Sequence, residues 1–159
     1  MSEVRDNFRE SMSRLASGVT IVMTEIDNRP WGLTVSACCS ISMDPPLILV
    51  SLATKAASTQ AIIDHDRFSV GILAEDQLQP AKAGASAGIP KFFEEYAESV
   101  GNYNYKVKNA LASIHCKVDQ VVEAGDHTLF IGLVENVELN ESKPPLLHFG
   151  RQFGEFHSF

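Results

Sequence analysis

Ser113-Ile114-His115-Cys116-Lys117-Val118-Asp119-Gln120-Val121-Val122 and His127-Thr128-Leu129-Phe130-Ile131-Gly132-Leu133-Val134-Glu135-Asn136-Val137-Glu138-Leu139 are two runs of strand composition joined by Glu123-Ala124-Gly125-Asp126. The joining residues suit a turn, so the pair reads as a long β-hairpin. Upstream, Val19 to Thr24 is a β-branched strand followed by the turn-like Asp27-Asn28-Arg29-Pro30, with a hairpin partner starting near Trp31. Leu47 to Leu52 is a nearly continuous apolar run and is expected to be a buried central strand. Arg67 to Leu73 alternates as a strand does, and Leu146 to Phe149 is a short last one.

Helical periods are few. Val4, Phe8, Met12 and Leu15 place one apolar stripe on an N-terminal helix ending before Gly18, and Thr54 to His65 carries a short helix between two strands. From Glu75 to Tyr105 the pattern is irregular, with two weakly helical pieces interrupted by Pro80, Gly84, Gly88, Pro90 and Gly101, and reads as a long excursion or lid. Six or seven strands with two or three helices in 159 residues predict a mainly β fold, a closed or nearly closed barrel with a few peripheral helices, in a single domain spanning 1–159.

Charge and composition exclude several classes. Thirteen Lys and Arg against 20 Asp and Glu give a net charge of -7, which disfavours broad binding to nucleic acid or anionic lipid. No apolar run is long enough to span a membrane, and the N-terminus lacks a signal-peptide core, so the expected location is cytoplasmic. Cys38, Cys39 and Cys116 form no Cys-x-x-Cys pair, and His65, His115, His148 and His157 have no ligand spacing, so no metal site is expected. No Gly-x-Gly-x-x-Gly, no P-loop and no Gly-x-Ser-x-Gly elbow occurs. Any nucleotide must be held some other way.

Three stretches carry candidate chemistry. Gly32 to Ser40 reads as one strand with the hydroxyls of Thr34, Ser36 and Ser40 on one side, flanked by Gly32 and Ala37 that let a flat ligand approach the backbone; an ordinary solvent-facing hydroxyl row has the same pattern. Ser51 to Thr59 ends a strand and begins a helix with four hydroxyls and Lys55, either a phosphate cradle or a plain N-cap. Gly125-Asp126-His127 places a histidine beside an aspartate at a strand junction, where it serves proton or hydride chemistry or merely closes a turn.

These stretches occur in a recognisable order with Phe8-Arg9, Gly18-Val19-Thr20-Ile21-Val22, Asp44-Pro45-Pro46-Leu47 and Pro145-Leu146-Leu147. The set resembles the short-chain flavin reductase family over nearly the full chain. The resemblance implies an FMN-binding split β-barrel, with FAD in some members. It further implies a homodimer that takes hydride from NADH or NADPH and passes reduced flavin to a separate monooxygenase. By the same resemblance Thr34, Val35, Ser36, Ala37 and Ser40 border the isoalloxazine and ribityl chain. Ser51, Leu52, Ala53, Lys55, Ser58 and Thr59 line the chain and phosphate, and His127 serves nicotinamide binding and hydride transfer. Arg151 matches a basic position after the last strand that reaches an acidic ligand group. The sequence departs from the family at Ser69-Val70, where Val-Asn is common, and between Ala83 and Tyr96, which lacks the usual Phe-Ala pattern. Phe149, Phe153, Phe156 and Phe159 are expected to pack against a subunit. A non-enzymatic flavin-binding electron carrier is the alternative on the same fold.

Overall fold

The computed structural model describes residues 1–159, in the order α1 (Ser2–Ser13), β1 (Ser17–Gly18), β2 (Thr20–Ile26), β3 (Arg29–Val35), β4 (Cys38–Met43), β5 (Pro46–Ala53), α2 (Ala57–His65), β6 (Arg67–Ile72), α3 (Leu78–Ala85), β7 (Ala97–Gly101), β8 (Asn104–Val107), β9 (Ala112–Ala124), β10 (His127–Leu139), β11 (Leu146–Phe149) and β12 (Gln152–Glu155). Seven strands form one antiparallel sheet in the order β3-β2-β6-β9-β10-β5-β4. Its two outermost strands, β3 and β4, are consecutive in the chain and separated only by Ser36 and Ala37. The two edges of the sheet must therefore meet at that dipeptide, and the sheet rolls up around it. No hydrogen-bonded ladder joins β3 to β4, so the roll stays split at this seam.

The expected mainly β fold is present, and the long hairpin is its spine, with β9 and β10 paired from His127↔Ala124 to Leu139↔Ala112. One buried cluster fills the roll, including Val22, Val50, Leu52, Phe68 and Phe130, with Ile62 of α2 closing one end. A second lies on the outer face, where Ile21 and Met23 meet Leu73, Ala81, Phe93 and Val107. Neighbours on β2 thus face opposite clusters, and every position from Thr20 to Glu25 is buried.

The doubly buried strand is consequently β2, not the Leu47–Leu52 run. On β5 only Ile48, Val50 and Leu52 point inward, and the strand lies next to the sheet edge. Short strands beyond those expected are β1 and β12, which join the expected last strand β11 in a separate small sheet, and β7 and β8. The excursion holds one helix, α3, while its second expected helical piece is the β7–β8 hairpin. Between them Lys91 and Phe93 bond the free edge of β3, through the Gly32 amide to the Lys91 carbonyl at 3.0 Å and the Phe93 amide to the Pro30 carbonyl at 2.9 Å. A Cβ on Gly32 would stand 2.7 Å from the Phe93 ring, so only glycine admits this strap.

The β7–β8 hairpin is fastened to the sheet by polar contacts. The Tyr105 hydroxyl donates to Glu25 at 2.8 Å, the Ser69 hydroxyl donates to the Tyr105 carbonyl, and Lys106 pairs with Glu98 and Glu138. Beneath them the buried His115 presents Nδ1 3.1 Å from the Asn104 side-chain nitrogen, with Nε2 3.5 Å from Glu138 and no hydrogen-bond partner. Asn104 donates to an unprotonated Nδ1, so this contact suits the neutral ring. Burial holds the His115 imidazole below its ordinary value of 6.5, against the opposing pull of Glu138. The unfolded chain therefore binds the proton first, and stability falls as the pH drops below about 6.5. Urea midpoints of the wild type should decline between pH 7 and 5, and those of His115→Gln should decline less; parallel curves would show that His115 is not the source.

Candidate functional site

The seam at Ser36-Ala37 opens a cleft of about 230 Å³. Leu33, Thr34 and Val35 bring β3 to it, Ser51, Leu52 and Ala53 bring β5, and His127 stands at its mouth at the start of β10. The Ser51 amide donates to the Ala37 carbonyl at 3.0 Å, which ties the seam to β5, and His127 is in register with Ala53. Eight of the residues singled out in the sequence thus share one cleft: Thr34, Val35, Ser36, Ala37, Ser51, Leu52, Ala53 and His127. Leu33 joins them without having been singled out, because its apolar side chain gave no signal beyond core packing.

The expected row of hydroxyls does not exist as one strand face. Ser36 and Ala37 break the strand, leaving Thr34 on β3 and Ser40 on β4, where Ser40 is exposed and pairs with Ile48. The Thr34 hydroxyl is already engaged, donating to the Ala81 carbonyl of α3 at 2.7 Å. α3 reaches this position because Gly84 has no side chain, since a Cβ there would collide with the Thr34 hydroxyl. What the seam offers a ligand is therefore backbone and the exposed Ser36 side chain.

At the other end of the cleft, β5 runs out through Thr54 and Lys55 into α2. Two of the four hydroxyls expected there are spent internally, Thr59 donating to the Ala53 carbonyl at 2.8 Å and Thr54 meeting Thr128 at 3.0 Å. Ser58 differs, with its Oγ buried and without a partner. No side chain caps α2, and Lys55 is exposed without an ion pair. An unfilled helix N-terminus, an orphaned buried hydroxyl and a free ammonium together fit a phosphate.

The His127 Nδ1–H donates to the Asp126 carboxylate at 2.7 Å, which orients the ring and leaves Nε2 free for a ligand. That hydrogen bond holds the Asp126 carboxyl below its usual range. Gly125 permits the turn with φ +65°. Arg151 is placed elsewhere: it occupies the left-handed turn between β11 and β12 and pairs with Glu10 of α1 at 2.9 Å. Its guanidinium lines a neighbouring cleft of about 510 Å³ with Arg9, Cys39 and His148, reaching the first cleft only through the shared Ser36 and Ala37. A smaller cleft of about 170 Å³, with Ala85, His148 and Phe153, shares Thr34, Val35 and Ser36. Sequence reading set His148 aside because an isolated histidine on a short strand carries no spacing signal.

The family described as flavin reductase like domain matches residues 12–157. The reductase component of 4-hydroxyphenylacetate 3-monooxygenase from Thermus thermophilus is 34% identical, over 94% of this chain and 95% of its own. An NADH:riboflavin 5'-phosphate oxidoreductase from Streptomyces pristinaespiralis is 35% identical, over 92% of this chain and 85% of its own. Among solved structures, flavin reductase PheA2 superposes with a TM-score of 0.86 at 35% identity, covering 96% of this chain and 98% of that one. The NADH:FAD oxidoreductase SgcE6 of Streptomyces globisporus C-1027, solved with NAD and FAD fragments, gives 0.88 at 25% identity, over 99% and 95% of the two chains.

If the α2 terminus holds a phosphate, Lys55→Ala should raise the Kd for FMN about tenfold and leave that for riboflavin, which lacks the phosphate, unchanged. Fluorescence titration with both compounds checks this, and equal loss for both would place the phosphate elsewhere.

Proposed function

The chain belongs to the flavin reductase-like family, and on that premise we propose that it is an NADH-dependent flavin oxidoreductase acting on FMN, with FAD as a second flavin and NADPH as a second donor. The observation that carries this reading is the convergence at one seam of bare backbone, a phosphate-ready helix terminus and His127. When bound, the flavin supplies the redox chemistry, accepting from the reduced nicotinamide a hydride, two electrons with one proton. Lys55, the Ser58 hydroxyl and the α2 amides bind the phosphate. Ser36 and Ala37 present their backbone amides to the flat ring system, with no bulky side chain between, while their carbonyls are taken by the Cys38 and Ser51 amides.

His127 stands at the mouth of the cleft, where it would contact the nicotinamide. Asp126 orients its imidazole, and the free Nε2 positions the nicotinamide or holds a proton at the ring edge. Loss of His127 then lowers turnover more than flavin affinity. The donor is NADH by analogy with relatives named for it, and the product is reduced flavin for a separate monooxygenase, as for the relatives named as reductase components. The relatives compared above are named as reductases and oxidoreductases, which favours the enzyme over the electron-carrier alternative. Anaerobic stopped-flow mixing of FMN-loaded protein with NADH, and in parallel with NADPH, tests the reading. Flavin bleaching within seconds is expected with NADH, and His127→Ala should slow it at unchanged FMN affinity; no bleaching with either donor refutes the proposal.

We further propose a homodimer. Val4, Phe8 and Met12 expose 74, 65 and 47% of their surface, and no residue of α1 is buried, so its apolar stripe has no cover within the chain; Leu15, expected on the same helix, lies just past its end. Light scattering should give twice the 17.4 kDa chain mass, and Phe8→Glu should lower it; a wild-type monomer at micromolar concentration contradicts the dimer. No helix is long and apolar enough to cross a membrane.

A further inference from the structure

The two hydroxyls spent within the protein at the α2 terminus, those of Thr54 and Thr59, stand between the phosphate end of the cleft and His127. Past Val118, whose amide donates to the Asp66 carbonyl, β9 pairs only with β10. The hairpin tip that carries His127 is therefore hydrogen-bonded to the body of the protein through the end of β5 alone. That attachment has three parts: the register of His127 with Ala53, the Thr54 amide donating to the Asp126 carbonyl at 2.9 Å, and the Thr54 hydroxyl meeting that of Thr128 at 3.0 Å. Thr128 is buried, whereas Thr54 is exposed and directly precedes Lys55. The first turn of α2 fixes the end of β5 in turn, since the Ala53 carbonyl accepts from the Ala56 amide at 2.9 Å and from the Thr59 hydroxyl at 2.8 Å.

A phosphate held by Lys55, the Ser58 hydroxyl and the α2 amides engages the same turn that carries this fastening. Ordering the turn holds Ala53 and Thr54, and these hold the tip through the Asp126 carbonyl and the Thr128 hydroxyl. Binding energy from a group remote from the reacting atoms is then spent on orienting the histidine. We propose that Thr54 and Thr128 are positioning residues that couple the flavin phosphate to His127, so that the phosphate contributes to turnover as well as to affinity. The inference rests on the flavin reductase reading and on the phosphate site at α2. Neither threonine touches a reacting atom, and a flavin without the phosphate is reduced more slowly even when fully bound.

The first test needs neither flavin nor nicotinamide. Inorganic phosphate added to the flavin-free protein should shift the His127 ring resonances of the wild type, assigned by their loss in His127→Ala, and should leave them in place in Thr54→Val. The second follows flavin bleaching by saturating NADH with the protein in excess over FMN or over riboflavin. In the wild type bound FMN should bleach about tenfold faster than bound riboflavin, the effect of one fixed hydrogen bond. Thr54→Val and Thr128→Val should slow FMN to the riboflavin rate, with the riboflavin rate and the FMN Kd from fluorescence titration unchanged, and Thr54→Ser should keep the wild-type rate. Thr54 is exposed, so its variant remains informative if Thr128→Val folds poorly. Equal rates for the two flavins in the wild type overturn the coupling alone. So do variants that slow both flavins alike or weaken FMN binding, and a phosphate shift that is absent from the wild type or persists in Thr54→Val. Absence of any bleaching of FMN overturns the flavin reductase reading and with it the effect on turnover, while the shift at His127 decides the coupling on its own.

Discussion

Two residues join the edges of the seven-stranded sheet, and their shortness governs the molecule. Ser36 and Ala37 connect β3 to β4 although these strands are the farthest apart in the sheet order, so the sheet cannot lie flat. Rolled up, it encloses Phe68, Phe130 and the other residues of the inner cluster. Because β3 and β4 do not pair, the dipeptide is left with backbone amides the ladder does not use, while its two carbonyls accept from Cys38 and Ser51. The constraint that forces the barrel shape thus also leaves polar backbone open at the proposed site.

The periodicity of the chain carried much of this. Thr20 to Thr24, the 113–139 hairpin and the mainly β content follow from alternation and β-branching, and the Gly-Asp-His turn lies where its composition put it. The break inside Gly32–Ser40 was hidden, because Ser and Ala suit a strand and a corner equally and the corner is imposed by strand order, a long-range property. The hairpin at 97–107 was hidden for a related reason. Ala97, Asn104 and Val107 are buried only because the outer face of β2 and β6 stands opposite them.

In the site, residue types were legible and hydrogen-bond partners were not. Thr34, Thr54 and Thr59 have the hydroxyls expected of ligand contacts, yet each bonds within the protein, and Ser58 alone stays unpartnered and buried. Arg151 sits near the seam in space, but Glu10, 141 residues earlier, holds its charge. Such pairings depend on tertiary approach and leave no spacing in the sequence.

The outer layer shows how the strap and helix α3 brace the seam from behind. Gly32 and Gly84 let Phe93 and α3 press against β3 at backbone distance, which fixes the strand end without filling the cleft in front. Ser36, Ala37, Ala53 and His127 all remain exposed while the inner cluster is sealed beneath them. A ligand at the seam can arrive and leave without any core side chain moving. Occupancy and folding are therefore separable at this seam, and a flavin at the proposed site would have the access of a substrate exchanged at each turnover, as opposed to one sealed in during folding.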